Sequence, residues 1–438
     1  MRAQNEALGM TEIPHPLELS PVLSFVESEE WFACGSPPVV QQGWKLYVPA
    51  TFLNGRELLE LVCPLASHAG LHFKYIKTAA LLRKLNAGIF GYTQVGKGIV
   101  IYLPEPDKSF LNALKDSLAP YRDQCPAVPC AISFGDDLPL YYRYGAYVNR
   151  RLQVGGYEIE DDRTNAKSAV PAGIEDLLKN YSSPLNVPPE VQSFLLRYPA
   201  HEAIQQQGKG GIFIGLNLAS ETFQEVILKV GYHRGLVQLD GSDGCTLLRR
   251  ELAFYRELAD RGIADDAPEI IDALDTPRKV ILVLEYIPGS NLLLRRLQNQ
   301  LTVEHLERCW SILERLHTAG LYLGDAKLAN FLAADDGKVW VLDFETAGVI
   351  GDKPSPIRTF NIKPGLADVC AADLAHFLAS VLYPYDGEGR EIPWDTNFDL
   401  RTWAARNPDT EIAAWAHEKL LKLLDKPKDA GISPLRCS

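Results

Sequence analysis

No CxxC pair occurs in this 438-residue chain, and no cysteine has a histidine partner at zinc-finger spacing. The eight cysteines, Cys34, Cys63, Cys125, Cys130, Cys245, Cys309, Cys370 and Cys437, are scattered. That spacing speaks against a zinc site or a disulfide framework and predicts reduced thiols in a cytoplasmic protein. Long apolar runs are missing as well, so no segment is expected to span a bilayer. The N-terminus lacks a basic start followed by an apolar stretch, which excludes the reading of a secretory signal. An excess of basic charge is also absent: the net charge is -12, which argues against a general nucleic-acid or anionic-membrane binder while leaving room for a local basic site.

What is present is ordinary globular composition. Hydrophobic residues make up 46% and charged residues 23%, so nothing points to disorder, and the length predicts two or three domains.

The most informative stretch is His317 to Gly348, HTAGLYLGDAKLANFLAADDGKVWVLDFETAG. It ends a helix, makes a short loop with Asp325, Lys327 and Asn330, crosses a strand, and delivers Asp343 with Glu345 close behind. Moving a γ-phosphoryl group to a hydroxyl requires a carboxylate to orient and deprotonate the acceptor. It also requires a carboxylate and an amide to hold magnesium. Asp325 suits the first role, and Asp343 with Asn330 the second. Lys327, two residues past the base, can meet the transferring phosphate. Asp335-Asp336-Gly337 reads only as a hairpin turn. The joint spacing, GDxKxxN, strand, DFE, is specific enough to predict a kinase-like domain.

Upstream pieces agree. QQQGKGGIFIGLNL places Gly208, Gly210 and Gly211 in a turn between strands, which serves equally as a phosphate-contacting loop or a plain hairpin turn. EVILKVGY ends an apolar strand with Lys229, where a kinase keeps the lysine for the α- and β-phosphates. The helix LLRRELAFYRELADRGI offers Glu251 as its partner, with Glu257 as the alternative because an exposed Glu-Arg pair fits the same periodicity. VILVLEYIPGSNL reads as the hinge strand, with backbone of Glu285 and Ile287 facing adenine. In VEHLERCWSILERLHTAG, Leu306, Trp310, Leu313 and Leu316 face the core, and His317 is a packed structural residue. Asp373 in ADLAHFLASVLY is read as capping or bracing the catalytic loop, and Gly351 to Gly365 as the activation segment or a peptide-docking loop.

The first part of the chain has another character. Residues 1–40 read as irregular wrapping. WKLYVPAT alternates as a strand, Asn54 caps a helix through ELLELVCPLASHAG, and LHFKYIK, FGYTQVGKGIVIYLP and PLYYRYGAYV supply further strands. Between Lys45 and Lys97 stand seven basic residues (Lys45, Arg56, Lys74, Lys77, Arg83, Lys84, Lys97) against Glu57 and Glu60. Arg56, Arg83 and Lys84 read as solvated helix positions. Lys45, Lys74, Lys97 and Arg143, interleaved with aromatics on strands and turns, read as a phosphate pocket.

WKLYVPAT, HFKYIK, GYTQVGKGIVIY and YYRYGAY together resemble the N-terminal lyase domain of class III lanthipeptide synthetases, itself similar to bacterial phosphothreonine lyases. The resemblance covers about residues 40–150, and the kinase stretch follows in the family's order. It implies that Lys74 is the base taking a Cα proton and that Lys45, Lys97 and Arg143 hold phosphate. The family's Lys-x-His is Lys45-Leu46-Tyr47 here, so Tyr47 or His72 would have to replace the acid. A phenol, with an ordinary pKa of ~10, is a weak one. The family's C-terminal cyclase domain has no counterpart, which implies ring closure by a separate cyclase or without one.

The expected architecture is therefore α+β: a phosphothreonine-lyase-like α/β domain (1–150), a linker (151–190), and a bilobal protein-kinase-like domain (191–290 and 291–438). The expected activity is a bifunctional dehydratase of a ribosomal precursor peptide using ATP or GTP with Mg2+. The alternative is a protein or small-molecule kinase whose first domain only binds phosphorylated product. No nucleic-acid or membrane partner is expected.

Overall fold

The computed structural model describes residues 12–135, 137–183, 187–352, 369–382 and 411–424. It is a mixed α/β structure with several sheets, divided into two compact units. The first comprises residues 1–224, 228–246 and 274–281; the second comprises 225–227, 247–273 and 282–438.

The first unit opens with helix α1 (Pro16–Leu19), strands β1 (Phe25–Glu27), β2 (Trp31–Cys34) and β3 (Gln42–Val48), and helix α2 (Gly55–His68). Then come β4 (Phe73–Ile76), α3 (Ala79–Ala87), β5 (Ile99–Leu103), α4 (Lys108–Leu118), β6 (Ile132–Ser133) and β7 (Tyr141–Ala146). The seven strands form one antiparallel sheet in the order β1-β2-β4-β5-β3-β7-β6. Side chains alternate across a strand with period two, and the sequence uses this fully. Trp44, Leu46, Val48, Phe73, Tyr75, Ile99, Ile101 and Tyr142 share one core with Leu58, Leu59 and Val62 of α2 and Leu111, Leu114 and Leu118 of α4. The intervening residues Lys45, Tyr47, Lys74, Val100, Tyr102 and Arg143 are left for the opposite face.

Three expectations are corrected here. Residues 25–34 are not irregular: β1 and β2 extend the sheet beyond β4, because Phe32 and Cys34 alternate into the core. Asn54 occupies the position before α2 without bonding its first turn; its Oδ1 accepts from Thr51 N at 2.8 Å and its Nδ2 donates to Gln124 O at 3.3 Å. The segment 151–190 is not a loose connection. It forms the hairpin β8 (Arg151–Val154) and β9 (Tyr157–Glu160), and Leu152, Ala169 and Leu178 are fully buried. Its polar composition hides the few apolar residues that anchor it.

Helix α5 (Pro189–Arg197) follows, then β10 (Ala200–Gln207), β11 (Gly210–Leu216), β12 (Glu225–Tyr232) and α6 (Gly244–Asp260). Helix α5 stops at Arg197 because Pro199 supplies no N–H and drives Tyr198 out of helical backbone, at φ -128° and ψ 65°. Strands β13 (Ile270–Asp275) and β14 (Lys279–Glu285) complete a five-stranded sheet ordered β10-β11-β12-β14-β13. Within the first unit the loop after β12 is fixed by ions. His233 Nε2 faces Asp123 Oδ2 at 3.4 Å and its Nδ1 faces Asp243 Oδ2 at 3.3 Å, which raises its pKa. Arg278 pairs with Asp123 and Asp137.

The second unit continues with β15 (Gly289–Asn291), α7 (Leu292–Leu297), α8 (Val303–Thr318), β16 (Leu321–Tyr322), β17 (Phe331–Ala334), β18 (Val339–Val341), β19 (Gly348–Val349), α9 (Val369–Leu382) and α10 (Glu411–Leu424). Leu306, Trp310, Leu313 and Leu316 of α8 are buried as their spacing predicts. Of the expected docking loop, residues 353–365 lie outside the described residues. Among the described residues, no helix is long and apolar enough to cross a membrane.

Leu178 tests whether 151–183 belongs to the first core. Leu178→Ala should lower unfolding free energy by about 2–5 kcal/mol, the cost of an internal cavity, measured by chemical denaturation. A change within ~0.5 kcal/mol would be that of a surface position and would return the segment to a linker.

Candidate active sites

Two sites are built on different principles, one on a sheet face and one on a helix-braced loop. On the sheet face, strand register sets the positions: Lys45 stands opposite both Arg143 and Tyr102, while Val100 stands opposite both Tyr47 and Lys74. Two adjacent rows therefore carry the expected cations. Lys97 comes from the turn before β5, its Nζ 4.9 Å from the centroid of the Tyr47 ring. Lys74 Nζ lies 4.4 Å from the Trp31 ring, and Lys45 Nζ lies 5.9 and 5.8 Å from those of Tyr102 and Tyr147. These aromatic faces hold the ammonium groups where carboxylates would neutralise them.

Gathering cations has a consequence for their protons. Burial, reinforced by Arg163 and Arg143, lowers Lys45 to about 7; burial and Arg143 lower Lys97 to about 7. Lys74 is lowered by burial and then by Arg163. Tyr47 moves the other way, because burial disfavours its anion. His72 is lowered by burial, and its Nδ1 lies 3.2 Å from Gly35 O.

Arg143 is fully buried and largely committed: Nη2 donates to Asp161 Oδ1 at 2.8 Å and to Asp162 O at 2.6 Å, and Nη1 donates to Cys130 O at 3.4 Å. Its Nε is buried without a partner. Arg163, which the sequence reading passed over inside DDRTNAK, shares the same carboxylate through Asp161 Oδ2 at 2.7 Å and is more accessible, with 26% of its side chain exposed. Asp161 and Arg163 carried no sequence signal beyond local charge; what identifies them is the fold that returns 151–163 to the sheet.

The second site is a loop between β16 and β17. Gly324 has φ +79°, and a Cβ there would lie 2.4 Å from Thr346 O, which accounts for glycine before Asp325. Asp373 of α9 accepts from Leu323 N at 2.5 Å and Gly324 N at 2.7 Å and faces His317 Nε2 at 3.3 Å. Asp325 is buried; its Oδ2 meets Lys327 Nζ at 2.7 Å and Asn330 Nδ2 at 3.2 Å. Asn330 Nδ2 also donates to Asp325 O at 2.9 Å, which leaves the amide oxygen for a cation. Leu342 N donates to Asn330 O at 2.9 Å and so brings Asp343 beside Asn330; Asp343 Oδ1 accepts from Glu345 N at 3.2 Å. Phe344 packs against Phe254 and Tyr255 of α6, with ring centroids 5.1 and 5.0 Å away.

An amide oxygen and one carboxylate suit Mg2+, which keeps waters and takes its remaining ligands from substrate phosphates. Among the described residues, no cluster of three or more His, Cys, Asp or Glu side chains is arranged for a metal.

The remaining expected nucleotide residues fall as follows. Lys229 is buried in β12 of the first unit, and Glu251 is buried in α6 of the second. Glu257 is half-buried and pairs with Arg261 at 3.1 Å, so of the two candidate acids Glu251 is the one withdrawn from water. Gly208 N donates to Ala87 O at 3.4 Å, and a Cβ at Gly208 would collide with Asn86 O. Gly210 and Gly211 begin β11. Glu285 N donates to Glu269 O at 2.9 Å, and Ile287 is buried.

The lysine shifts make a pH prediction. The folded values of Lys45 and Lys97 lie below their unfolded value, so the folded state binds fewer protons between about pH 7 and 10.5. Without an anion, their contribution to stability therefore rises with pH across that window and is lost as pH falls through about 7. Sulfate, a dianion throughout, should do the reverse: its increase in Tm should be larger at pH 6 than at pH 8.5. Equal sulfate shifts at both pH values would remove these lysines from the anion site.

Residues 18–172 match the family described as RamC, N-terminal domain. The chain is 26% identical over 360 residues to a probable SapB synthase of Streptomyces coelicolor, covering 73% of this chain and 37% of that protein. A stretch of 91 residues is 31% identical to the hormonally up-regulated neu tumor-associated kinase of Homo sapiens and equally so to that of Mus musculus, covering 19% of this chain and 13% of each kinase. The chain thus spans little more than a third of the SapB synthase it matches. Taken together, these likenesses support a lanthipeptide synthetase-like protein.

Proposed function

We propose that the chain is a bifunctional peptide dehydratase of the class III kind. In the first step, Asp325 orients a Ser or Thr hydroxyl and takes its proton as the oxygen bonds to the γ-phosphorus of ATP or GTP, and the bond to the β-phosphate oxygen breaks. Lys327 follows the transferred phosphoryl group. Asn330 and Asp343 would hold Mg2+, which neutralises phosphate charge when bound. Lys229 and Glu251 are assigned to the nucleotide.

In the second step, neutral Lys74 takes the Cα proton, the Cα electrons form the double bond, and the Cβ–O bond breaks to release phosphate. The product is dehydroalanine or dehydrobutyrine. Lys97, Arg143 and Arg163 stabilise the dianion. Lys45, with a pKa near 7, supplies the proton that a buried phenol at Tyr47 does not. The substrate is a ribosomal precursor peptide.

The observation that carries this reading is a sheet face on which two buried lysines have pKa values near 7 beside two arginines that share one carboxylate. A surface that only repels or solvates has no reason to hold amines poised between charge states. The buried Tyr47 favours a second reading, a kinase whose first domain binds phosphopeptide without eliminating.

Intact mass spectrometry of a Ser/Thr-bearing precursor incubated with the chain, Mg2+ and nucleotide separates the two. Net loss of water is expected; a stable gain of phosphate would select the second reading. Asp325→Asn should abolish all modification, and Lys74→Ala should leave phosphopeptide accumulating. Lys45→Arg should retain phosphopeptide binding but lower elimination by roughly 100-fold or more, the scale of general acid catalysis. Wild-type elimination in Lys45→Arg would remove Lys45 as the proton donor.

A further inference from the structure

One buried oxygen in the catalytic loop lacks a donor. Asp325 Oδ2 is held by Lys327 and Asn330, whereas Oδ1 is sealed from solvent and makes no hydrogen bond. An unsatisfied buried acceptor is rare enough to require an account. The group facing it is His376, whose Nε2 lies 3.6 Å from Oδ1.

His376 occupies a telling place in α9. Asp373, three residues earlier, binds the backbone of Leu323 and Gly324 just before the catalytic carboxylate. Ser380, four residues later, accepts from Leu328 N at 3.1 Å just after it. Spacings of three and four put 373, 376 and 380 on one helix face. That face touches the loop before, at and after Asp325, and every residue of α9 from Ala371 to Leu382 is buried.

We propose that His376 is a positioning residue for phosphoryl transfer, its Nε2–H directed at Asp325 Oδ1 to fix the carboxylate that receives the acceptor proton. This rests on the kinase reading above. Burial, with the charge of Lys327, brings the imidazole pKa down to about 3, so the ring is neutral. Neutrality matters because every cation beside a base lowers its proton affinity. Lys327 is such a cation, but it is half-exposed and can follow the transferring phosphoryl group. The oxygen it releases, Oδ2, is then the one left to take the hydroxyl proton. His376 keeps hold of Oδ1 throughout without opposing that transfer.

The test is steady-state transfer of labelled γ-phosphate from ATP to a synthetic Ser/Thr-bearing peptide by the full chain. His376→Leu keeps the volume and removes the donor; His376→Gln restores an N–H at a similar reach. His376→Leu should lower kcat by roughly 100-fold, the scale of a small misplacement of a reacting group, with KM for ATP and peptide within about threefold. His376→Gln should recover at least tenfold of that loss. Elimination from a pre-phosphorylated peptide should be unchanged in both, which reports an intact first unit, while the retained KM values report a folded second one. Wild-type kcat in His376→Leu, or equal losses in Leu and Gln, would overturn the assignment. If Asp325→Asn itself transferred at the wild-type rate, the kinase reading would fall first and take this inference with it. Loss in Asp325→Asn with none in His376→Leu would sink the positioning role alone.

Discussion

The carboxylate of Asp161 is the constraint on which the first site depends. It is almost entirely buried and accepts from Arg143, Arg163 and the backbone N–H of Ala146. Without it, two guanidinium groups would face Lys45, Lys97 and Lys74 with no compensating charge in a low-dielectric setting. Unit charges 4 Å apart repel by about 4 kcal/mol at an effective dielectric constant of 20. One buried acid beside Arg143, Arg163, Lys45 and Lys97 leaves a strongly positive site inside a chain of net charge -12. Burial first, and the neighbouring guanidinium groups second, move the lysines toward their neutral forms.

The loop site solves a different problem. A kinase-like loop must present a carboxylate, an amide and a second carboxylate from three short segments that cannot hold themselves. Here α9 supplies the frame through Asp373, His376 and Ser380, and Gly324 permits a backbone turn that a side chain would obstruct. Side-chain acceptors therefore do for this loop what strand pairing does for the lysine rows. The sheet site is rigid because its neighbours are strands; the loop site is rigid because its backbone donors end on a buried helix.

Much of this was legible in the sequence, for identifiable reasons. Alternation in WKLYVPAT and HFKYIK assigns Trp44 and Phe73 to one face and Lys45 and Lys74 to the other, and strand geometry leaves little choice. The spacing from Asp325 to Asn330 and Asp343 is local, so a short loop brings it together. What escaped was long-range or compositionally disguised. Phe32 and Cys34 stand among prolines and acids; Arg163 lies in a polar run whose return to the sheet depends on Leu152, Ala169 and Leu178. His376 looks like one more position on an apolar helix, and only its register with Asp373 and Ser380 marks it.

The turn at Gly208 bears on where the chain can be divided. Its backbone rests on Ala87 and Asn86 at the end of α3, and residues 228–246, including Lys229, lie in the same compact unit as the lysine-bearing sheet. Thermodynamic domains need not coincide with chemical ones. Here most of β12, Lys229 included, belongs to the same compact unit as the lysine-bearing sheet, so a polypeptide severed near residue 190 would cut through one compact unit rather than between two.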